Sequence, residues 1–147
     1  MEKILIKKLN DSAILPVRST SGSAGADLFA CLDEPVRIAP GKTALIPTGI
    51  SIQLESRFYA AMVYARSGLA IKHGICLANG VGVIDSDYTG EIKVGLLNAG
   101  EDEYTVLPGE RIAQLVVHPV ALPEIVETSS IHKTERGDGG FGSTGKM

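Results

Sequence analysis

Apolar residues recur along this chain in short runs, several of them alternating with polar residues. Alternation with a period of two is typical of strands that bury one face, and β-branched residues strengthen that prediction. The predicted strands cover residues 3–9, 27–32, 43–54 with a break at Pro47 and Gly49, 58–65, 91–98, 103–107 and 111–120. Turn signals separate them at Pro40-Gly41, Asn79-Gly80, Asn98-Ala99-Gly100 and Pro108-Gly109. This spacing predicts an all-β antiparallel sandwich or barrel.

One short helix and an apolar-poor tail complete the pattern. The helix is predicted to begin near Ser67, whose hydroxyl would cap it, and to end at Gly74. From about Ser129 onward apolar residues become scarce. We therefore predict a packed body over residues 1–128 and a C-terminal arm over residues 129–147.

Length and charge narrow the class of protein. A chain of 147 residues is expected to form one domain with its own core. A net charge of −3 argues against a general nucleic-acid-binding protein, which usually carries a basic surface. Lysines interrupt the first apolar run, so no signal peptide is predicted, and no apolar stretch approaches the ~20 residues that span a bilayer. We expect a soluble protein of the cytoplasm, or of the nucleus if the source is eukaryotic.

Cysteine and histidine add no chemistry to this picture. Cys31 and Cys76 have no paired spacing, which favours two buried thiols in a reducing compartment. His73, His118 and His132 lack the spacing of metal ligands, so no zinc site is predicted.

The tail RGDGGFGSTGKM, residues 136–147, suits a phosphate. Its stretch GFGSTGK fits seven positions of the phosphate-loop pattern, but Met147 stands where Ser or Thr would bind magnesium, and no strand and helix flank it. Glycines let backbone N–H groups converge on an anion, and Arg136, Ser143 and Thr144 would add donors. Phe141 would stack on a flat ring, which indicates a nucleotide. The alternative is a disordered tail of accidental composition.

Two other segments have candidate chemistry. Arg66, Ser67 and Gly68 stand where a strand ends and the helix begins, which suits either an anion site or an ordinary helix cap. Asp85 and Tyr88 crowd a tight turn with a second aspartate. These carboxylates either brace a polar hairpin through Asx-turn bonds or supply a general base.

Five segments, taken in order, resemble the five motifs of the homotrimeric dUTP pyrophosphatases (dUTPases). They are AGADLFA, ARSGLA, NGVGVIDSDYTGEI, GERIAQL and RGDGGFGSTG, within residues 24–145. The resemblance implies a jelly-roll-like β-barrel or sandwich and three active sites shared by three chains. One chain would supply the first, second and fourth motifs of a site, and a neighbour the third. The flexible arm of the remaining chain would close over the site.

The resemblance also implies roles on the base and sugar side of the substrate. Asp85 is similar to the base that orients or deprotonates the attacking water. The uracil pocket, read largely through backbone groups, would be formed by Asn79, Gly82, Val83, Ile84 and Asp85. Tyr88 resembles the platform beneath the deoxyribose that blocks a ribose 2′-hydroxyl. Lys93 would border the pocket.

On the phosphate side, the resemblance implies contacts from the second and fourth motifs and a lid from the fifth. The implied phosphate contacts are Arg66, Ser67, Gly68 and Gln114. The implied lid residues are Arg136, Phe141, Gly142, Ser143 and Thr144. Asp27 is similar to the acid that touches magnesium-bound water, while the substrate phosphates hold most of the Mg²⁺.

The implied reaction is attack of water on the α-phosphorus of dUTP, which gives dUMP and pyrophosphate. It would limit dUTP and supply dUMP for thymidylate synthesis. Two alternatives are a dCTP deaminase, which shares the fold, and a regulatory dUTP-binding protein of the kind found in phages and viruses. Asp85, Tyr88 and the arm favour hydrolysis over both.

Overall fold

A computed structural model of the chain describes residues 3–140. That part is almost wholly β and contains one helix, α1 (Ser67–His73). The strands are β1 (Ile4–Lys8), β2 (Ala26–Phe29), β3 (Val36–Ile38), β4 (Thr43–Pro47), β5 (Ile50–Leu54), β6 (Tyr59–Tyr64), β7 (Ile75–Leu77), β8 (Gly82–Ile84), β9 (Lys93–Asn98), β10 (Tyr104–Val106) and β11 (Arg111–Pro119). The prediction of an all-β fold with one short helix is confirmed.

The strands of the described residues form four antiparallel sheets. One sheet has the order β2-β11-β6-β8 and another the order β4-β9-β7, while β1 pairs with β5 and β10 with β3. Alternate residues of a strand point to opposite faces. In β9, for example, Val94, Leu96 and Asn98 are buried while Lys93 is exposed. Each sheet thus gives one face to a common interior.

A single apolar core holds the sheets together. Its largest fully buried apolar side chains are Leu28, Ile38, Ile46, Ile50, Ile75, Val94, Leu96, Val106 and Ile112. Two of the buried polar side chains are hydrogen-bonded to the main chain: Thr48 Oγ1 donates to the Ile92 carbonyl at 2.6 Å, and Asn98 Nδ2 donates to the Ile38 carbonyl at 2.8 Å. This core fixes β6, β8, β9 and β11, on or beside which the candidate site residues lie.

The apolar pattern predicted the longer strands and the three-residue β10, but it missed three other strands of that length. The stretch 43–54 divides into β4 and β5 at the predicted break. Three strands of three residues each, β3, β7 and β8, were not predicted. A strand that short is too brief to display a period of two, and pairing with a neighbouring strand is what defines it.

The helix ends as predicted but does not begin as predicted. Gly74 adopts φ 68°, the left-handed conformation that favours glycine, and its N–H bonds the carbonyls of the last turn. The prediction of Ser67 as the cap is wrong, because Arg66 occupies the N-cap position in an extended conformation, with no side-chain cap bond. Ser67 is instead the first helical residue.

The C-terminal part of the described chain lies outside the sheets. Residues 120–140 contain no helix or strand, and residues 121–138 are exposed. Cys31 and Cys76 are free thiols and are half-buried rather than fully buried. No helix within residues 3–140 has the length and apolar character needed to span a membrane.

Candidate active site

A cleft of about 240 Å³ opens where the chain passes from the four-stranded to the three-stranded sheet. Because β8 pairs with β6 while β9 pairs with β4 and β7, residues 85–92 form an arch between two sheets. This corrects the hairpin that the turn residues predicted. We call the space the arch cleft; its lining residues are Val63, Leu77, Asn79, Gly82, Val83, Ile84, Asp85, Tyr88, Glu91, Ile92, Lys93, Val94 and Gly95.

The chain enters the arch cleft through a tight turn after β7. Gly80 has φ 73°, a conformation that favours glycine, and the N–H of Val81 donates to the Asn79 carbonyl at 2.8 Å. A Cβ on Gly82 would lie 3.1 Å from Cβ of Val63, so β8 packs closely against β6. The turn and this contact place Asn79 and β8 along one wall.

A second turn brings Asp85 and Tyr88 to the mouth of the arch cleft. The N–H of Tyr88 donates to the Asp85 carbonyl at 3.2 Å, which closes the turn. The Tyr88 hydroxyl donates to the Glu91 carbonyl at 2.9 Å. The Tyr88 ring lies across Gly90, where an added Cβ would stand 2.5 Å from that hydroxyl oxygen. Only glycine at position 90 allows this fold-back.

Asp85 faces two depressions at once. Its side chain is exposed, and it lines both the arch cleft and a second, neighbouring groove. The groove is lined by Arg57, Tyr59, Ala60, Asp85, Ser86, Asp87, Val120 and Leu122. A carboxylate within reach of water is placed to serve as a general base.

A separate group of charged residues, which we call the arginine cluster, surrounds Asp27. Arg66 Nε donates to Asp27 Oδ1 at 2.8 Å, and Arg111 Nη1 donates to Asp27 Oδ2 at 3.2 Å. Only 13% of the Asp27 side chain is exposed. One carboxylate therefore holds two guanidinium groups side by side, and the cluster carries a net positive charge suited to an anion.

A β-bulge in β11 brings Arg111 to this cluster. Arg111 pairs with Phe29 and Gln114 pairs with Asp27, with a register shift between Arg111 and Ala113. Phe29 and Asp27 are two residues apart on β2 and share a face. Residues three apart on β11 share that face only because the bulge inserts an extra residue between them.

Gln114 joins the fourth-motif segment to the second. Its Nε2 donates to the Ala65 carbonyl at 3.0 Å, and its Oε1 lies where a Cβ on Gly25 would approach to 2.4 Å. Ser67 and Gly68 are exposed at the start of α1, directly after Arg66. The first, second and fourth motif segments therefore meet around one end of β6.

Asp85 and the arginine cluster lie at opposite ends of β6. Ala61 pairs with Ile84, the residue before Asp85, whereas Arg66 lies two residues beyond Tyr64, the last residue of β6. At ~3.3 Å per residue, the five residues from Ala61 to Arg66 span about 16 Å. A single chain therefore does not bring Asp85 and Arg66 to the same reacting atom.

The arm contributes one candidate residue to the described structure. Arg136 lies in a local turn of the arm, where its Nε donates to the Gly139 carbonyl at 2.9 Å. The other predicted lid residues lie outside the described residues; they are Phe141, Gly142, Ser143 and Thr144.

The described part of the chain has no ready-made cluster of metal ligands. Within residues 3–140, no three His, Cys, Asp or Glu side chains come together as a metal site. Both carboxylate oxygens of Asp27 are already in ion pairs. These residues fit a Mg²⁺ ion carried on phosphate oxygens, the mode Mg²⁺ often adopts, and do not form a cage of protein ligands.

Sequence reasoning missed several residues that the structure brings into these two groups. Glu91 and Arg111 are the charged ones, and both act through contacts with residues far away in sequence. Glu91 Oε1 accepts from the Gly49 N–H, and Arg111 reaches Asp27. The apolar lining residues of the arch cleft were missed as well; they are Val63, Leu77, Ile92 and Val94.

Comparison with known proteins gives the same family that the five motifs resemble. The family model described as dUTPase matches residues 11–145. The deoxyuridine 5′-triphosphate nucleotidohydrolase of Sodalis glossinidius (strain morsitans) is 50% identical over 145 residues, which cover 99% of this chain and 96% of that protein.

Solved structures share the fold. The dUTPase of Staphylococcus bacteriophage 80alpha with bound dUPNHPP has a TM-score of 0.89 and 27% identity, with 99% of both chains covered. A mutant dUTPase from phage phi11 of S. aureus, in which a structural Mg(II) ion is coordinated, has a TM-score of 0.80 and 22% identity. That alignment covers 90% of this chain and 100% of the phage chain, and at this identity the likeness concerns the fold alone.

Proposed function

This chain belongs to the dUTPase family, and we propose that it hydrolyses dUTP to dUMP and pyrophosphate. The observation that carries the proposal is the arch cleft, whose walls unite Asn79, β8, Asp85 and Tyr88. The base and the sugar of dUTP would contact these walls, and Asp85 would supply the carboxylate that activates water. The reaction would keep dUTP low and supply dUMP for thymidylate synthesis.

The position of β8 supports recognition of uracil by backbone groups. Among the described strands, β8 is an edge strand of its sheet and pairs with β6 alone. The other edge of such a strand presents unpaired N–H and C=O groups. Uracil has an acceptor at position 4 where cytosine has a donor, so a fixed backbone donor would leave cytosine with unpaired polar groups. The closely packed wall at Gly82 would also leave no room for the methyl group of thymine.

Tyr88 would act as the platform beneath the deoxyribose. Its hydroxyl is tied to the Glu91 carbonyl and its ring rests on Gly90, so the ring has a fixed position at the cleft mouth. A ring held there would collide with a ribose 2′-hydroxyl. Lys93 would border the same cleft.

Asp85 would accept the proton of the attacking water. The main contributions of a protein to phosphoryl transfer are positioning and charge stabilisation. An exposed carboxylate at the cleft mouth is suited to positioning the water. Mg²⁺ bound to the triphosphate would neutralise charge on the departing pyrophosphate.

The phosphates would lie against a second copy of the chain. Arg66, Ser67, Gly68 and Gln114 form the phosphate side, and Asp27 holds Arg66 in place. Because this group and Asp85 lie at opposite ends of β6, a complete site needs the arginine cluster of one chain and the arch cleft of another. We propose the homotrimer of the family for this arrangement, with Arg136 and the rest of the arm as the lid.

The test is pyrophosphate release in the presence of magnesium, with dUTP, dCTP, dTTP and UTP at equal concentration. We expect release from dUTP alone, because base, methyl group and sugar are each discriminated. Ammonia release from dCTP would indicate a deaminase instead. Nucleotide binding without any release would indicate a regulatory binding protein.

A further inference from the structure

We propose that Glu91 is a positioning residue that sets Tyr88 and Lys93 in the arch cleft and thereby contributes to discrimination between deoxyribose and ribose. The inference rests on the proposed function of the cleft. It assigns a role to a residue outside the set predicted from the sequence.

The backbone of Glu91 determines where the Tyr88 ring lies. The Tyr88 hydroxyl has its acceptor in the Glu91 carbonyl at 2.9 Å, and the ring covers Gly90 between them. Residues 88–91 thus form a small closed loop. A displacement of the Glu91 main chain would carry the Tyr88 ring with it.

The side chain of Glu91 anchors that loop to the body of the protein. Oε1 accepts from the N–H of Gly49 at 3.0 Å, and Oε2 lies 3.4 Å from Nζ of Lys93. The side chain is 25% exposed and lines the cleft. One carboxylate therefore connects the Tyr88 loop, the Lys93 ammonium and the segment between β4 and β5.

Gly49 is a rigid anchor point. It is buried with φ 67°, and an added Cβ would lie 2.7 Å from Cys31 Sγ and 2.8 Å from Cβ of Ala13. Its carbonyl accepts from the Leu9 N–H at 2.7 Å. A residue packed this tightly cannot shift to follow its partner, so the Gly49 N–H fixes the position of the Glu91 carboxylate.

The charge of Glu91 also argues for positioning rather than substrate contact. A carboxylate in direct contact with the nucleotide would add negative charge beside the triphosphate unless a donor or a cation compensates it. Here one oxygen is taken by a backbone N–H and the other by an ammonium group. The carboxylate is thus compensated by neighbours on the same chain, which suits a group that holds the cleft wall.

The experiment compares kcat/KM for dUTP and for UTP in Glu91→Ala, Glu91→Gln and the wild type. Loss of the anchor in Glu91→Ala frees the Tyr88 loop to move, so the dUTP-to-UTP ratio should fall by about tenfold as the ring ceases to exclude the 2′-hydroxyl. Glu91→Gln keeps an oxygen for the Gly49 N–H and should retain most of the ratio. Glu91→Asp, whose side chain is too short to reach Gly49, serves if the alanine variant does not fold.

Glu110→Ala is the matched control for general destabilisation. Glu110 is another half-buried glutamate that accepts a backbone N–H, from Leu107 at 2.9 Å, but it lies outside the arch cleft. Its unfolding midpoint should fall, and because Glu110 directly precedes Arg111, kcat/KM should fall equally for dUTP and UTP, so the dUTP-to-UTP ratio stays at the wild-type value. A wild-type ratio in Glu91→Ala, or an equal fall of the ratio in Glu110→Ala, would overturn the proposal.

A double variant tests whether Glu91 affects the dUTP-to-UTP ratio through Tyr88. Tyr88→Phe retains the ring and removes its bond to the Glu91 carbonyl, so adding Glu91→Ala to it should change the ratio little further. If the double variant instead lowered the dUTP-to-UTP ratio by the product of the two single effects, Glu91 would not act through Tyr88. Absence of dUTP hydrolysis by the wild type would refute the proposed function instead, and the same variants would then be compared by calorimetric binding of dUTP and UTP.

Discussion

Asp85 is the residue on which the proposed chemistry depends most. It is exposed where the arch cleft meets the neighbouring groove, and the turn around it is closed by main-chain bonding from Tyr88. Its carboxylate is therefore free to serve the reaction without being required to hold the turn. Shape and charge at this position can be separated by one isosteric substitution.

Replacement of Asp85 by Asn keeps the shape and removes the base. We expect kcat for dUTP to fall by about 10²- to 10⁴-fold, the usual contribution of general base catalysis, with little change in KM. Steady-state kinetics and a thermal unfolding scan check this together. Near wild-type turnover in a folded Asp85→Asn enzyme would remove Asp85 from the mechanism.

At this scale the sequence predicted residues whose signal is local. Asp85 and Tyr88 stand out because polar residues crowd a turn between apolar strands. Glu91 and Arg111 carry no such signal, since their partners, Gly49 and Asp27, are brought to them only by the packing of separate sheets. The roles assigned to the site residues remain predictions until the variants are measured.

At the scale of elements, the turn between β10 and β11 prepares the arginine cluster. The Tyr104 hydroxyl donates to Oε1 of Glu110 in a short hydrogen bond, and Oε2 of Glu110 accepts from the Leu107 N–H. Glu110 is followed directly by Arg111, the first residue of β11. The two hydrogen bonds to Glu110, which we call the Glu110 clamp, therefore fix the start of the strand that presents Arg111 and Gln114.

The Glu110 clamp makes the free energy of unfolding change with pH in the alkaline range. Burial, followed by the Glu110 carboxylate, raises the pKa of Tyr104 above its usual value of about 10. Above pH 10 the unfolded chain loses the tyrosine proton while the folded chain retains it, so the free energy of unfolding falls as pH rises. The stabilisation that comes from the raised pKa of Tyr104 is fully present below pH 10 and is lost as pH rises further. Unfolding midpoints at pH 7–11 should show the wild type falling more steeply than Tyr104→Phe above pH 10; parallel curves would contradict this.

Element boundaries show where sequence patterns stop being informative. The longer strands were predicted because their periodicity is visible, and the break at Pro47 and Gly49 was visible too. β8 was not, although it forms a wall of the arch cleft, because three residues show no period. The arch was predicted as a hairpin, since turn residues do not reveal which sheet the next strand joins.

At the scale of the whole molecule, the two halves of the proposed site are divided between the ends of β6. The arginine cluster gathers three motif segments at one end, and the arch cleft occupies the other. This division is a reason, independent of family resemblance, to expect a second copy of the chain in each site. It also makes the account testable without any structure of the assembly.

The most direct test mixes two inactive variants. Asp85→Asn chains retain the arginine cluster, and Arg66→Ala chains retain the base. When they are co-expressed and assemble at random, about a quarter of the sites should pair an intact Asp85 with an intact Arg66 from another chain. We predict recovery of dUTP hydrolysis toward a quarter of the wild-type rate in the mixture. Mixed oligomers, verified by native mass spectrometry, that hydrolyse no more dUTP than the separate variants would contradict a site shared between chains.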